Sequence, residues 1–322
     1  MKITYSEAAD FLRENNNFYI LTHANPDGDT MGSGFGLCYI LRKMGKNANV
    51  FCSDPLPKRY DFMYESYIPQ KFSPSKIIAV DVADTKLLGS ALQQYSGYVD
   101  LCIDHHVSNT GYAKQTLVEP DAAAACQVIY KLLFTQKLTE PDNQIATCLY
   151  TGLSTDSGCF KFSCTSSETH LAAAGLMKYG VDAAGINRRM FDCKSRARIR
   201  VEQLIMNTME YYLDDKCAIA AVTLEDMENT GLPLEEFEGL SSLTTMLETV
   251  EVGVIIRQKE GNKFKISMRS TGDADVSAIC AKFGGGGHVK AAGCTIESDL
   301  EDVKLKLLSA VAPALGIDLW LA

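Results

Sequence analysis

Residues 18–45 read FYILTHANPDGDTMGSGFGLCYILRKMG. The stretch opens on an apolar run, Phe18 to Leu21, of a length that suits a buried strand. It closes on a segment from about Thr30 that reads as a helix stopping near Gly45, a residue that ends helices in left-handed geometry. Between the two lies His23-Ala24-Asn25-Pro26-Asp27-Gly28-Asp29. Pro26 fixes φ and Gly28 permits a tight reversal, so His23, Asp27 and Asp29 can converge at the carboxyl end of the strand. Open α/β sheets place their ligands at that edge. For the heptapeptide alone, an Asp-rich turn that merely caps the following helix is the competing reading.

Outward from this unit the alternation continues. Ser6 to about Asn15 carries apolar residues at helical spacing, and Val50-Phe51, Ile77 to Val80 and Val99 to Ile103 are further strand candidates. Such alternation predicts a mostly parallel sheet covered by helices. Helices dominate from about Ala123 to Leu213, with Thr165 to Glu168 fitting a capping box that makes His170 structural. The Arg-rich segment Arg188 to Arg200 predicts a connecting helix. After Asp214-Asp215 the pattern changes. A strand at Cys217–Leu224, a helix at Leu234–Thr249, strands at Glu251–Gln258 and Lys263–Ser270, a glycine turn at Gly284–Gly287 and a helix at Leu300–Leu315 compose a smaller α/β unit. The expected fold class is α/β: a mostly parallel domain over residues 1–187, a linker helix over 188–213 and a second domain over 214–322.

Composition narrows the function. An apolar fraction of 46% over 322 residues is ordinary for a folded chain of two domains. No apolar run reaches the roughly 18 residues needed to span a bilayer, and the charged, periodic N-terminus is not read as a signal peptide. Eleven scattered cysteines without a C-x-x-C pair read as reduced core thiols of a cytoplasmic protein. The net charge of −9 argues against a grip on long duplex nucleic acid, which needs a basic stripe. It leaves room for an anionic substrate, because gathered carboxylates become locally positive once divalent cations join them.

Three of the five histidines lie close to aspartates. His23, Asp27 and Asp29 form the first cluster. Asp81 in Val80-Asp81-Val82-Ala83-Asp84 ends an apolar strand, and Asp104-His105-His106 ends another. Asp156 in Ser154-Thr155-Asp156-Ser157-Gly158 closes a helix. Each is ordinary alone; jointly they deliver six side chains, His23, Asp27, Asp29, Asp81, His105 and Asp156, enough for two metals if one carboxylate bridges. Four aspartates balance two divalent ions, and mixed imidazole and carboxylate donors suit Mn²⁺, or Fe²⁺ or Co²⁺, better than Mg²⁺ alone. Two such ions about 4 Å apart lower the pKa of a shared water and clamp phosphoryl oxygens during in-line attack. Four glycines ending in His288 let backbone N–H groups approach an anion, with a flexible hairpin turn as the alternative. In Lys263 to Ser270, apolar Phe264, Ile266 and Met268 alternate with Lys265, Ser267 and Arg269, so one face can bury while the other offers cations.

In that order, HANPDGD, VDVAD, DHH and STDSG resemble the four motifs of the DHH phosphoesterase superfamily. Phe283 to His288, with Ala291-Ala292-Gly293, resembles the GGGH motif of its DHHA1 substrate domain. The resemblance spans nearly the whole chain and is greatest to the group of bifunctional oligoribonucleases and pAp phosphatases. It implies that His23, Asp27, Asp29, Asp81, His105 and Asp156 are metal ligands, with Asp81 the bridge. It further implies a supporting carboxylate at Asp104, a phosphate-facing His106, a phosphate-contacting loop at Gly286, Gly287 and His288, and a nucleotide-binding cation at Arg269. Ser157 stands where many relatives have threonine, and Lys161 where arginine is frequent, which bears on substrate preference.

The expectation is a soluble bilobed hydrolase using two divalent metal ions, Mn²⁺ foremost, with a cleft that admits short oligoribonucleotides, 3′-phosphoadenosine 5′-phosphate (pAp) or dinucleotides. A homodimer is compatible with it, and a membrane is not expected as a partner. The same motifs serve pyrophosphatases, single-strand exonucleases and cyclic-dinucleotide phosphodiesterases. The GGGH region disfavours the first and the lack of extra domains the second. The linear dinucleotide product of the third stays open as a substrate. A catalytically silent nucleotide-binding regulator is the alternative from another class; the intact ligand set opposes it.

Overall fold

In the computed structural model, which describes residues 1–318, the chain begins with α1 (Tyr5–Glu14), β1 (Phe18–Leu21), α2 (Gly28–Lys43) and β2 (Ala48–Phe51). A one-turn helix, α3 (Asp61–Tyr64), precedes β3 (Lys76–Val80), β4 (Leu101–Asp104) and β5 (Gln115–Val118). These strands pair in parallel in the order β2-β1-β3-β4-β5. Strand order therefore reverses between β1 and β3, and crevices at the carboxyl ends of such a switch point hold ligands. The heptapeptide follows β1 and Asp81 follows β3, so both open on that crevice. β5 escapes sequence reading because Gln115 and Thr116 interrupt its apolar character, although Thr116 is buried.

Helices α4 (Ala125–Thr135), α5 (Asn143–Asp156), α6 (Ser167–Met177) and α7 (Ala183–Asn187) complete the first compact unit, which ends at Cys193. The capping box of α6 pairs Ser166 with Thr169, one residue beyond the expected Thr165–Glu168 pair. The contact that matters most for function is between α2 and α5. Gly28, Gly32 and Gly36 recur every fourth residue along one side of α2 and meet Thr155, the Cys148 carbonyl and Leu149 of α5. Gly152 of α5 answers with close approach to Cys126 Sγ and Asp29. No Cβ fits at these positions, so the two backbones come together more closely than larger residues allow. Asp29, in the first turn of α2, is thereby brought toward Asp156, the last residue of α5.

The second unit starts at Lys194. It comprises α8 (Arg196–Asn207), β6 (Met209–Tyr212), β7 (Cys217–Val222), α9 (Leu224–Thr230), β8 (Val252–Glu260), β9 (Lys263–Ser270), α10 (Val276–Ala281), β10 (Gly286–His288), β11 (Ala291–Glu297) and α11 (Leu300–Val311). Its sheet runs β10-β11-β9-β8-β7-β6 and is mixed, with β7 and β8 parallel and the other pairs antiparallel. Three expectations change here. The segment 188–213 is not one helix: Arg188–Asp192 is a π-helical turn continuing α7, the chain breaks at Cys193, and α8 begins after the Ser195 cap and ends before strand β6. Residues 234–249 form two short 3₁₀ turns, Leu234–Phe237 and Ser241–Thr245, because Gly239 between them is left-handed. Gly286 and Gly287 are not a loop but part of the exposed edge strand β10. No helix among the described residues is long and apolar enough to cross a membrane.

Gly→Ala inside an exposed helix normally adds about 1 kcal/mol of stability. At Gly32 the sign should reverse, because the new methyl meets a backbone carbonyl that cannot turn aside. We expect Gly32→Ala to lower the urea midpoint by the equivalent of about 1–3 kcal/mol; a midpoint at or above wild type would show that the α2–α5 approach is not tight.

Candidate active site

His23 leaves β1 with its Nδ1 donating to the Ala24 carbonyl at 2.6 Å. A carbonyl accepts only, so the ring is fixed with Nε2 toward the carboxylates, 3.4 Å from Asp81 Oδ2 and 3.9 Å from Asp27 Oδ2. Asp27 serves twice: Oδ1 caps α2 by accepting from Thr30 N at 3.0 Å, while Oδ2 faces His23. The capping reading of the heptapeptide therefore applies to Asp27, and the same side chain also faces an imidazole. Asp29 is buried, and its two oxygens accept from Ala125 N at 2.6 Å and Cys126 N at 2.9 Å. Those N–H groups open α4, whose own cap residue, Ala124, has no side-chain acceptor, so Asp29 caps a neighbouring helix.

Asp81 follows β3 in left-handed geometry, φ 58°, which an aspartate tolerates better than most residues. Its Oδ2 accepts from Thr30 Oγ1 at 2.6 Å and faces His23. Its Oδ1 is buried, has no hydrogen-bond partner, and lies 3.7 Å from both His105 Nε2 and His106 Nδ1. The two oxygens thus look into two separate donor sets. One is His23, Asp27 and Asp81; the other is Asp81 with Asp104, His105 and His106, and His105 links it to a third set, its Nε2 lying 3.3 Å from Asp156 Oδ2 and 3.8 Å from Asp29 Oδ2. His105 Nδ1 is held by the Ala122 carbonyl at 3.2 Å, the same device as at His23. Asp104 is fully buried; its Oδ1 takes His105 N, His106 N and His106 Nδ1 at 2.7, 3.2 and 2.8 Å, and its Oδ2 takes Asn109 Nδ2 at 2.6 Å. His106 is accordingly fixed while remaining 42% exposed.

The electrostatics are those of a cation site. Burial, then the neighbouring Asp81 and Asp27, holds the Asp29 carboxyl well above the usual range. Burial and Asp29 push Asp156 up to about 8. Burial opposes charge on His23, yet its hydrogen bonds and the adjacent carboxylates push it up to about 9. The hydrogen bond to Asp104 outweighs burial to push His106 up to about 9 as well. Among the described residues no lysine or arginine pairs with Asp27, Asp29, Asp81, Asp104 or Asp156. Crowded carboxylates without a basic counter-charge, and a buried carboxylate oxygen without a donor, fit divalent cations as the missing partner.

Residues 17–153 match the DHH family, N-terminal domain, and residues 218–314 match the DHHA1 domain. Over 298 residues the chain is 32% identical to a bifunctional oligoribonuclease and PAP phosphatase of Thermus thermophilus, covering 91% of this chain and 88% of that protein. The chain belongs to the DHH family. A Mycoplasma genitalium protein of the same description is 26% identical, covering 92% and 93% of the two chains. The solved structure of an exopolyphosphatase-related protein from Bacteroides fragilis shares the fold, with a TM-score of 0.84 over 97% of this chain and 95% of that one at 22% identity.

Within the DHHA1 match, a cavity of about 620 Å³ is walled by Lys265, Ser267 and Arg269 of β9 and by Gly284 and Gly285. Lys265 and Arg257 are both tied to Glu238, Lys265 at 3.1 Å. Arg269 is half-buried and donates to the Met268 carbonyl at 3.2 Å, with no carboxylate partner among the described residues. Gly286, Gly287 and His288 lie outside this cavity on exposed β10, paired with Gly293, Ala292 and Ala291. Sequence reading missed three supports of the DHH site. Thr30 anchors Asp81 and also contacts His23 Nε2. Asn109 holds Asp104, and the α2 glycines set the spacing. Only the glycines left a periodic signal.

Asp156 accepts no side-chain hydrogen bond among the described residues, so at pH 9, above its raised value of about 8, Asp156→Asn removes like charge without orphaning a donor. We expect the variant to unfold at a higher temperature than wild type in chelator, and to gain less from saturating Mn²⁺. Binding at 100 times its Kd stabilises the wild type by about 2.7 kcal/mol per site. A variant that gains as much from Mn²⁺ as wild type would remove Asp156 from the cation site.

Proposed function

We propose that this DHH-family chain is a metal-dependent phosphoesterase, a hydrolase that uses two divalent cations, Mn²⁺ foremost, to release mononucleotides from short oligoribonucleotides and to convert pAp to AMP. The observation that carries the reading is Asp81. It stands between two donor sets with one oxygen toward each, and its buried Oδ1 has no protein partner. His23, Asp27 and Asp81 would hold one ion, and Asp29, Asp81, His105 and Asp156 the other. When bound, such ions supply Lewis acidity toward phosphoryl oxygens and a water ionised near neutral pH.

The protein groups do the rest. Nδ1 of His23 and of His105 stays committed to a carbonyl, so each Nε2 is available as a donor atom. Thr30 keeps Asp81 in its bridging orientation. Asp104 accepts from His106 Nδ1 and orients the exposed ring, which can meet a phosphoryl oxygen and stabilise the charge that develops on it. In the second unit, Arg269, which has no carboxylate partner among the described residues, offers its guanidinium to a nucleotide phosphate, and the exposed strand from Gly286 to His288 offers backbone and imidazole donors. This assigns the chemistry to residues 1–187 and recognition to residues 214–322. The Thermus and Mycoplasma relatives, bifunctional oligoribonucleases and PAP phosphatases, support the same substrates.

Chelator should abolish hydrolysis of a ribodinucleotide and of pAp, and Mn²⁺ should restore it. Asp81→Ala should bind fewer than two ions and lose turnover on both substrates; near-normal kcat with two ions bound would refute the bridge. Arg269→Ala should lower kcat/KM on nucleotides by about 10- to 150-fold, the worth of a charge-assisted hydrogen bond. Hydrolysis of bis-p-nitrophenyl phosphate should change far less. Equal losses on both substrates with metals intact would place Arg269 in the chemical step.

A further inference from the structure

The segment after Asp156 contains a feature that the cation site does not explain. Gly158, Cys159 and Phe160 are consecutively left-handed, with φ of 59, 58 and 62°. For Cys159 and Phe160 this geometry is unfavourable and persists only where surrounding contacts enforce it. The enforcing contacts are visible. Ser157 Oγ accepts from Phe160 N at 3.1 Å, Cys159 N donates to the Ser154 carbonyl at 2.7 Å, and the Phe160 ring stacks on His170 at 5.4 Å. The chain is thereby reversed, and the N–H groups of Lys161 and Phe162 both return to the Ser157 carbonyl at 3.0 Å. Phe162 therefore stands beside the end of α5, one residue from Asp156, not six residues away along an extended loop.

Its ring lies on Gly158, where any Cβ would overlap the ring atoms, and the side chain is nonetheless 59% exposed. One face is seated on glycine backbone and the rest is open to solvent. Lys161 beside it is exposed and makes no ion pair among the described residues. A single exposed apolar residue is unremarkable on most surfaces. An aromatic ring seated on glycine backbone two residues past Asp156, with a lysine beside it in the chain, has a specific use.

We propose that Phe162 is the stacking platform for the nucleobase attached to the phosphate being hydrolysed, with Lys161 facing the adjoining phosphate. The proposal rests on the phosphoesterase reading above and adds to it a contact in the first unit that, beside Arg269 in the second, favours nucleotides over simple phosphate esters. Stacking on an aromatic face is tolerant of base identity, since every base has a π-face. This suits an enzyme for short oligonucleotides of mixed sequence. Because the ring is already fixed by the backbone, little freedom is lost when the base arrives.

The test compares wild type, Phe162→Ala and Phe162→Trp in Mn²⁺ on a ribodinucleotide and on the same phosphodiester with the base at the cleaved nucleotide removed. Phe162→Ala should lose about 5- to 150-fold in kcat/KM on the dinucleotide, mainly through KM. The tryptophan variant should retain activity, and the abasic substrate should respond little to either change. A dinucleotide carrying 2-aminopurine and a non-hydrolysable phosphonate linkage should be quenched on binding to wild type and much less on binding to Phe162→Ala. Unchanged kinetics and quenching in Phe162→Ala, or equal losses on both substrates, would overturn the proposal. If the wild type cleaves neither substrate, the phosphoesterase reading fails, and the quenching experiment still decides whether Phe162 meets a base.

Discussion

The site depends on how closely α2 can approach α5. Asp29 belongs to the first turn of one helix and Asp156 to the last turn of the other, and each needs the other within reach of His105. Gly28, Gly32, Gly36 and Gly152 remove the side chains that would keep the two axes apart. The constraint is steric before it is electrostatic. Carboxylates repel, so nothing in the charges themselves would draw Asp29 and Asp156 together; the packing of two helices against a parallel sheet does it. The first unit therefore stores a cost at its active end that its core must offset.

That cost is managed residue by residue. Asp29 is buried but answered by two N–H groups at the start of α4, where the helix dipole favours an anion. Asp81 is half answered, with Thr30 on one oxygen and no donor on the other. Asp104 is wholly answered, and it passes its charge on to His106 as orientation and raised basicity. A gradient runs from satisfied to unsatisfied carboxylates. The unsatisfied end coincides with the carboxyl edge at the β1–β3 switch point, where an open α/β sheet has room for a ligand.

The second unit follows a different logic. Phe264, Ile266 and Met268 of β9 are buried in its core, while Lys265, Ser267 and Arg269 point to the opposite face and wall a cavity. The glycines near that cavity are there for contact with a strand. Gly285 packs directly on Gly293 and Cys294 of β11, and Gly287 on Ala291 and Ala292. Glu238 ties Arg257 and Lys265 together, which leaves Arg269 and Lys259 as cavity-lining cations with no carboxylate partner among the described residues. A recognition surface needs such an uncommitted donor, since a paired one has to give up its partner before it can take a ligand.

Sequence alone determined the local chemistry. Short apolar runs placed β1, β3 and β4, and period-two alternation β9, within a residue or two, because strands buried on both faces read as continuous apolar runs and half-buried ones alternate. The clusters around His23, Asp81, Asp104 and Asp156 were legible only jointly, because each is ordinary alone while together they deliver six metal-donor side chains. Patterning failed where local preference and context conflict. The expected helix over 234–249 gave way at left-handed Gly239, the supposed linker helix broke at Cys193, and the polar β5 left no clear trace. Tertiary structure decided what periodicity cannot carry: that Asp29 caps α4, that Thr30 and Asn109 hold two of the carboxylates, and that Phe162 folds back onto Ser157 and Gly158. The reason is physical. A residue's chemistry is its own, but its partner's distance is set by elements from elsewhere in the chain, and only their packing fixes it.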